Sequence, residues 1–388
     1  MKKSLIALAA LAATASFAQS SVVIDGYFDR GYLSTNSTDN TKDLKSVASN
    51  AGTTTIGIKV REDLGGGLSV GGSVNTDWAD LGGISQGSAV PAQAGTFANS
   101  QSFVDLTGSF GVVRFGTPNN FTLTNAISVA SPAFSTGVGS AYSSAFSIAN
   151  GLSTGSTGFG GTVTQQAAIT STANAGARAI RIANTIQYSS PSFSGLSLHL
   201  GYTPKNDNAT ANSGAGNSVG VTELAARYTN GPVDAMLTSI KYDVGTNGTN
   251  QAKLTTTTGT PVPGNNAIAV QDSTQNLLGV AYAVMPNLKL NVGLGTFSSS
   301  GNNFKGSSQS IGGTYTVGAV DVLAQYAKVD DKSSTNVDRK MVGLGVNYNF
   351  SKTARAYVRY DNINYGDNVV AAAGSKQNRV ALGVSKSF

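Results

Sequence analysis

Sixteen segments of this chain share one feature that decides what it can fold into: apolar and polar residues alternate with a period of two. In LSVGGSVNTDW (Leu68 to Trp78), Leu68, Val70, Gly72, Val74, Thr76 and Trp78 fall on one side. Ser69, Gly71, Ser73, Asn75 and Asp77 fall on the other. Such a stretch is a strand with a greasy face and a wet face. The pattern recurs over residues 22–33, 53–62, 67–78, 100–107, 111–117, 177–190, 195–203, 221–229, 232–242, 275–285, 287–297, 308–317, 319–328, 338–350, 353–364 and 377–388. No window offers the roughly 18 consecutive apolar residues that a membrane helix needs.

The connections say which closed form these ribbons take. Short turns (EDLGGG, GSF, PSFS, NG, P, G, SK) alternate strictly with long connections at 34–52, 79–99, 118–176, 204–220, 243–274, 298–307, 329–337 and 365–376. Short and long loops therefore gather at opposite ends, as in an outer-membrane barrel. A soluble sandwich would mix them. Sixteen strands enclose a space too wide for side chains to fill, so the apolar stripes turn outward to lipid. A closed barrel is also the one strand architecture that pairs every backbone group inside a bilayer. The predicted fold is all-β: a 16-stranded antiparallel transmembrane β-barrel with short periplasmic turns and long extracellular loops. Aromatic residues on the outward parity form two girdles, with Tyr32, Trp78, Tyr202 and Tyr242 toward the long loops. Tyr188, Tyr228, Tyr348, Phe350 and Phe388 lie toward the short turns.

Composition agrees. Charged residues make up 12% of the 388, against about 25% in soluble domains. Too few ions remain to clothe a soluble protein of this size. The opening MKKSLIALAALAATASFAQSS has the two lysines, short apolar run and small residues of a secretory signal, cut after Ala18. Residues 1–18 are thus read as the signal peptide and 19–388 as the barrel, exported to the outer membrane. The exported part keeps 24 basic residues against 20 acidic ones, scattered rather than clustered, so nucleic acid is excluded as a partner. The chain has no cysteine, so no disulfide framework holds it.

Several stretches together resemble the general trimeric porins of Gram-negative bacteria, particularly the betaproteobacterial branch. They are SVVIDGYFDRG, TTIGIKVREDLGGGLSV, QSFVDLTGSFGVVRFG, NTIQYSSPSFSGLSLHLGY, AARYTNGPVDA, GVNYNFSKTARAYVRYD and the terminal RVALGVSKSF. The resemblance implies a homotrimer whose third long loop, 118–176, folds into the lumen as a constriction. It also implies that Phe388 ends a signal read by the barrel-assembly machinery. Three positions depart from the family's arginine ladder, which here reads Thr55, Thr117 and Gln187. No Asp or Glu occurs between Asp105 and Asp207, and the family's acidic DPF becomes SPAF at Ser131–Phe134.

Passive diffusion of ions and small hydrophilic solutes needs a polar lining, a limiting cross-section and a biasing field, but no catalytic group and no cofactor. Parity places Lys59, Arg61, Asp105, Arg114, Arg181, Glu223, Arg227, Arg355, Arg359 and Arg379 inside. Arg114, Arg181, Arg359 and Arg379 are the expected selectivity residues. With the loop bare of carboxylates, a weak preference for anions follows. Arg30 falls on the outward parity, where a charge is costly, and calls for a neighbour or a protomer interface. His199, the sole histidine, reads as a wall residue, and no HExxH, GxSxG or phosphate loop points to an enzyme. Asp330–Asp331 reads as a solvated outer loop rather than a metal site. A substrate-specific channel would add paired lumenal carboxylates or a denser arginine ladder. An adhesin or autotransporter would need a large passenger before Val22.

Nitroxide labels at Val70 and Leu290 are expected to collide with lipid-dissolved oxygen and not with aqueous nickel, as measured by power-saturation spin resonance. The opposite accessibility would place the greasy face in a soluble core.

Overall fold

The structure, a computed structural model, describes residues 20–37, 44–77, 98, 100–142, 181–182, 184–204, 219–244, 273–299, 305–332, 338–364 and 376–388. The signal-peptide reading, Trp78 and residues 143–176 of the long third loop lie outside them. The strands in chain order are β1 (Ser21–Ser37), β2 (Leu44–Ala48), β3 (Thr55–Gly65), β4 (Leu68–Asp77), β5 (Ser102–Gly108) and β6 (Gly111–Thr117). There follow β7 (Thr185–Ser189), β8 (Leu196–Thr203), β9 (Val219–Asn230), β10 (Val233–Val244), β11 (Ser273–Met285) and β12 (Leu288–Ser299). The last are β13 (Lys305–Val317), β14 (Val320–Asp331), β15 (Arg339–Asn349), β16 (Ala354–Asn364) and β17 (Lys376–Ser387). Between β6 and β7 come α1 (Phe121–Asn125), a π-turn (Ala126–Ala130) and a 3-10 turn (Pro132–Phe134).

All pairings are antiparallel, and β1 meets β17 from Tyr27↔Ser387 to Ser37↔Gln377, which closes the sheet on itself. On its other side β1 pairs with β3 over Ser21–Tyr27 and with β2 over Gly31–Thr35. Two strands thus share one stave, and the 17 strands make a wall of 16 staves. Strand β2 lies inside the connection expected at 34–52.

The break between β2 and β3 has its own chemistry. Thr54 Oγ1 lies 3.0 Å from the Asp29 amide nitrogen and 3.1 Å from the Asp29 carbonyl oxygen, taking the place of the missing ladder. Arg30 reaches the same gap, donating from Nη1 to Ser49 Oγ at 2.6 Å and to the Asp29 carbonyl. The outward-parity arginine is therefore held by neighbours in its own chain. Asp29 is buried and accepts from the Ala51 and Gly52 amides and from the Tyr357 hydroxyl, tying the break to β16.

Burial alternates as the parity requires. On β15, Val342, Leu344, Val346 and Tyr348 are exposed, while the residues between them are buried. Water is not what these exposed side chains meet, since a continuous apolar belt of this kind is the lipid face of a barrel. Tyr32, Tyr202, Tyr228, Tyr348, Phe350 and Phe388 are all exposed on it. Tyr242 is a correction: it is buried and shares the inner face of β10 with Met236 and Ile240. The reason is that this inner face is covered by chain, so apolar side chains are stable on both sides of the strand.

That covering chain is the segment 121–142. Leu123, Ala126, Ala130, Ala141 and Tyr142 pack on the inward Leu277, Phe297, Ala327, Val329, Met341 and Ile363. Phe134 and Ala133 pack on Leu323. The described core thus lies inside the barrel, to one side. Glycine sets the approach: a Cβ on Gly279 would stand 2.1 Å from Asn125 Oδ1, and one on Gly343 would stand 2.7 Å from Gly139 Cα.

Gly343→Val is expected to push the segment off the wall at a cost of about 1–3 kcal/mol. The measurements are melting of the folded band on a heat-modifiable gel and single-channel conductance. The melt should fall and the conductance rise while the barrel persists.

Candidate functional site

The inner surface is divided by what segment 121–142 covers. Its start is fixed by Glu223 on β9, which accepts from the Phe121 amide at 2.9 Å and from the Thr122 amide and hydroxyl, each at 2.6 Å. These are charge-assisted bonds on amides that an incipient helix leaves unpaired. Farther along, Asn125 Nδ2 donates to the Met236 and Leu277 carbonyls at 2.8 and 2.9 Å. Asn291 Nδ2 donates to the Ala130 carbonyl at 2.8 Å. The Gly139 amide donates to Asp361 Oδ2 at 2.7 Å. These anchors come from β9 to β12 and β16, and toward its end the segment also meets the β2–β3 break, where the Val138 amide donates to the Asn50 carbonyl at 2.8 Å.

Three of the expected inward residues belong to this covered half. Glu223 is 2% exposed, with its carboxylate spent on the segment. Arg359 is also 2% exposed, its guanidinium 4.8 Å from the Phe134 ring and donating to Asn347 Oδ1 at 3.2 Å. Arg379 makes a two-pronged bond to Asp361, its partner in strand register. These side chains point inward, as parity demands, but they hold the segment and the wall together rather than face solvent. Arg227 is likewise bound in two-pronged fashion to Asp234 at 2.9 and 2.7 Å. Arg355 donates to Ser385 Oγ and to the Tyr27 hydroxyl.

Among the described residues, the half that no loop covers runs over β3 to β6. Here Lys59 pairs with Asp25, and its side chain is 50% exposed. Arg61 lies 3.1 Å from Asp105 Oδ1 and is 48% exposed. Arg114 reaches Asp105 Oδ2 at 3.5 Å, lies 3.9 Å above the Phe103 ring and is 31% exposed. Asp105 itself is buried between the two guanidinium groups. Among the described residues this wall therefore shows water Lys59, Arg61 and Arg114 against Asp25 and the exposed Asp63, with Asp105 buried beneath two of the cations and Asp77 paired to Arg181. Across from it, residues 118–142 contain no Asp, Glu, Lys or Arg.

Arg181 bridges the two halves, donating to Asn119 Oδ1 and to Asp77 Oδ2, both at 3.1 Å. At the positions that depart from the family's arginines, Gln187 donates to the Asn119 carbonyl at 2.9 Å and Thr55 to the Thr76 carbonyl at 3.0 Å. Both spend their polarity on the backbone. His199 lies between Ser189 Oγ and Ser197 Oγ at 2.9 and 3.0 Å, with its ring 4.8 Å from Phe121. Phe388 pairs its backbone with Gly26 and stacks on Phe28 at 5.4 Å, at the seam where β1 meets the chain end.

What sequence reasoning missed are the acidic partners: Asp25, Asp29, Asp77, Asp234 and Asp361. One signal was available. Across the tight β5–β6 turn, register puts Asp105 directly opposite Arg114.

The sequence profile of the family described as Gram-negative porin matches residues 5–368. Outer membrane porin protein 32 of Delftia acidovorans is 30% identical over 382 residues, covering 92% of this chain and 88% of that one. Among solved structures, the anion-selective porin from Comamonas acidovorans superposes with a TM-score of 0.69 at 22% identity, covering 95% of this chain and all of that one. OmpT of Vibrio cholerae gives 0.61 at 15% identity, covering 95% and 98% of the two chains.

Glu223→Ala is expected to release the start of the covering segment. Each charge-assisted bond lost weakens its hold by about 1.5–3 kcal/mol. Amide hydrogen exchange at Phe121 and Thr122 should quicken, with that of β15 unchanged. Equal protection in the variant would show that the carboxylate does not hold the segment.

Proposed function

Because the chain belongs to the Gram-negative porin family, we propose that it is an outer-membrane pore for passive diffusion of ions and small hydrophilic solutes, weakly preferring anions. The observation that supports the preference is the wall of β3 to β6, where Lys59, Arg61 and Arg114 face water against Asp25 and Asp63 while Asp105 is buried between two guanidinium groups. Opposite them the segment 118–142 supplies polar groups and no charge. A low-dielectric wall focuses such a field across a narrow aqueous path, so a small excess of positive charge biases flux without binding the ion. The similar porin of Comamonas acidovorans is described as anion-selective, which supports the same sign here.

Loop 118–176 is the constriction in this reading, and the docking of its described residues 121–142 on β9 to β16 supports that role. Residues 1–18 direct export. The terminal Phe388, bound at the seam, is the assembly signal read by the barrel-assembly machinery. The working unit is a homotrimer, a reading supported by the OmpT of Vibrio cholerae that is described in a trimer form.

The test is the zero-current potential in a salt gradient across a planar bilayer. The native pore should prefer anions, more so at low ionic strength. Arg61→Gln with Arg114→Gln leaves Lys59 against Asp25, Asp63 and an Asp105 stripped of its partners, and the preference should invert. A native pore that prefers cations would refute the charge argument. Gel migration should also show an oligomer band that disappears on boiling.

A further inference from the structure

The tip of the covering segment is gripped from two sides. On one, the Gly139 amide donates to Asp361 and the Gly139 backbone lies against Gly343. On the other, the Val138 amide donates to the Asn50 carbonyl at 2.8 Å, in the break between β2 and β3. Gly137 permits that approach. At φ 82° it takes the left-handed form, and a Cβ there would run into the Asn50 carbonyl. Val138 and Ala51 then close over the contact with Tyr357 and Ala381 in one buried apolar cluster.

The break can hold the tip because one carboxylate holds the break. Residues 49–54 stand outside the strand ladder, and buried peptide groups there need partners of their own. Asn50 Nδ2 anchors the bend by donating to the Gly31 and Ala48 carbonyls at 2.8 and 3.0 Å. Asp29 Oδ2 accepts from the Ala51 and Gly52 amides at 2.6 and 2.9 Å, while Asp29 Oδ1 accepts from the Tyr357 hydroxyl at 2.6 Å. The Ala51 N–H and the Asn50 carbonyl belong to one planar peptide and point in opposite directions. Asp29 thus binds one end of a peptide whose other end binds Val138. Hydrogen bonds in series polarise one another, so a negative charge on the amide side strengthens the carbonyl as an acceptor.

We propose that Asp29 is a positioning residue for the pore: acting through the Asn50–Ala51 peptide, it fixes how far the tip at 137–139 stands into the lumen, and with it the cross-section left for solutes. Asp29 is fully buried and touches no solute itself. The described segment is then set by carboxylates on well-separated staves, Glu223 of β9 at its start and Asp29 of β1 near its tip. The break in the ladder gains a purpose. A continuous strand there would spend the Asn50 carbonyl within the wall, out of reach of Val138. The inference rests on the reading of loop 118–176 as the constriction.

The full protein is recorded as single channels in planar bilayers and followed by amide hydrogen exchange, with folding checked by heat-modifiable gel migration. In Asp29→Asn, exchange at Val138 is expected to quicken about tenfold, the equivalent of one charge-assisted bond, with Phe121 unchanged. Conductance should rise, with more open-channel noise. Gly137→Ala breaks the same contact from the loop side, leaves Asp29 in place and should do likewise. The chain has no cysteine, so Ala51→Cys with Val138→Cys can be oxidised to a single tie across the contact. Added to Asp29→Asn, that tie should restore the native conductance, and reduction should undo the rescue. Native exchange and native conductance in the folded Asp29→Asn variant would overturn the proposal. A raised conductance that the disulfide leaves unrepaired would overturn it too, confining Asp29 to holding β1 and β16 together. Faster exchange at Val138 with native conductance would overturn the control of cross-section and place the fault in the constriction reading, not in the tie.

Discussion

A peptide group in hydrocarbon has no water to bond with, and everything in this molecule follows from meeting that demand with strands. The sheet has to close, and it closes where β1 runs along β17. Closure then fixes the two faces, because a strand paired on both edges can vary only in what its side chains meet. One place where the ladder is interrupted is instructive. Between β2 and β3 the chain leaves the wall, and a threonine hydroxyl and an arginine from the neighbouring strand occupy the vacated positions. Unpaired backbone costs enough that side chains take over its bonds.

The inside of the barrel obeys a second demand, that an inward loop must have something to rest on. Half of the wall supplies it with glycines where the backbones approach, with Leu277, Met341 and Ile363 for packing, and with Glu223, Asn291 and Asp361 for hydrogen bonds. The other half keeps Lys59, Arg61 and Arg114 in contact with water. Inward charges accordingly have two fates. Arg379 and Arg359 are structural ties under the loop, whereas Arg61 and Arg114 share one carboxylate and remain wet.

Most of the wall was legible because lipid imposes a plain rule on one face. The run Val342, Leu344, Val346, Tyr348, followed by the SK turn, leaves no other reading, and the strand bounds there agree to within a residue or so. The inner face follows no such rule. Tyr242 was misplaced because Met236, on the same inner face, is apolar for the sake of a loop more than 90 residues away in sequence. Strand β2 stayed hidden inside a long connection, since five residues carry too little periodicity to be told from a loop. For the site, the residue types and their inward direction could be read, but not their exposure. Asp361 meets Arg379 across a long connection, so no turn fixes their register in the sequence. The pairing of Asp105 with Arg114 spans a tight turn and was there to be read.

The inward loop also makes the cylinder unequal in thickness. Among the described residues the wall from β9 to β16 is two layers deep, strand and docked loop bonded and interlocked, and from β3 to β6 it is one layer. A tube reinforced along one side resists bending there and gives way along the other. Squeezing by the surrounding bilayer is therefore taken up by the thin side, and the cross-section changes shape at the surface that carries Lys59, Arg61 and Arg114.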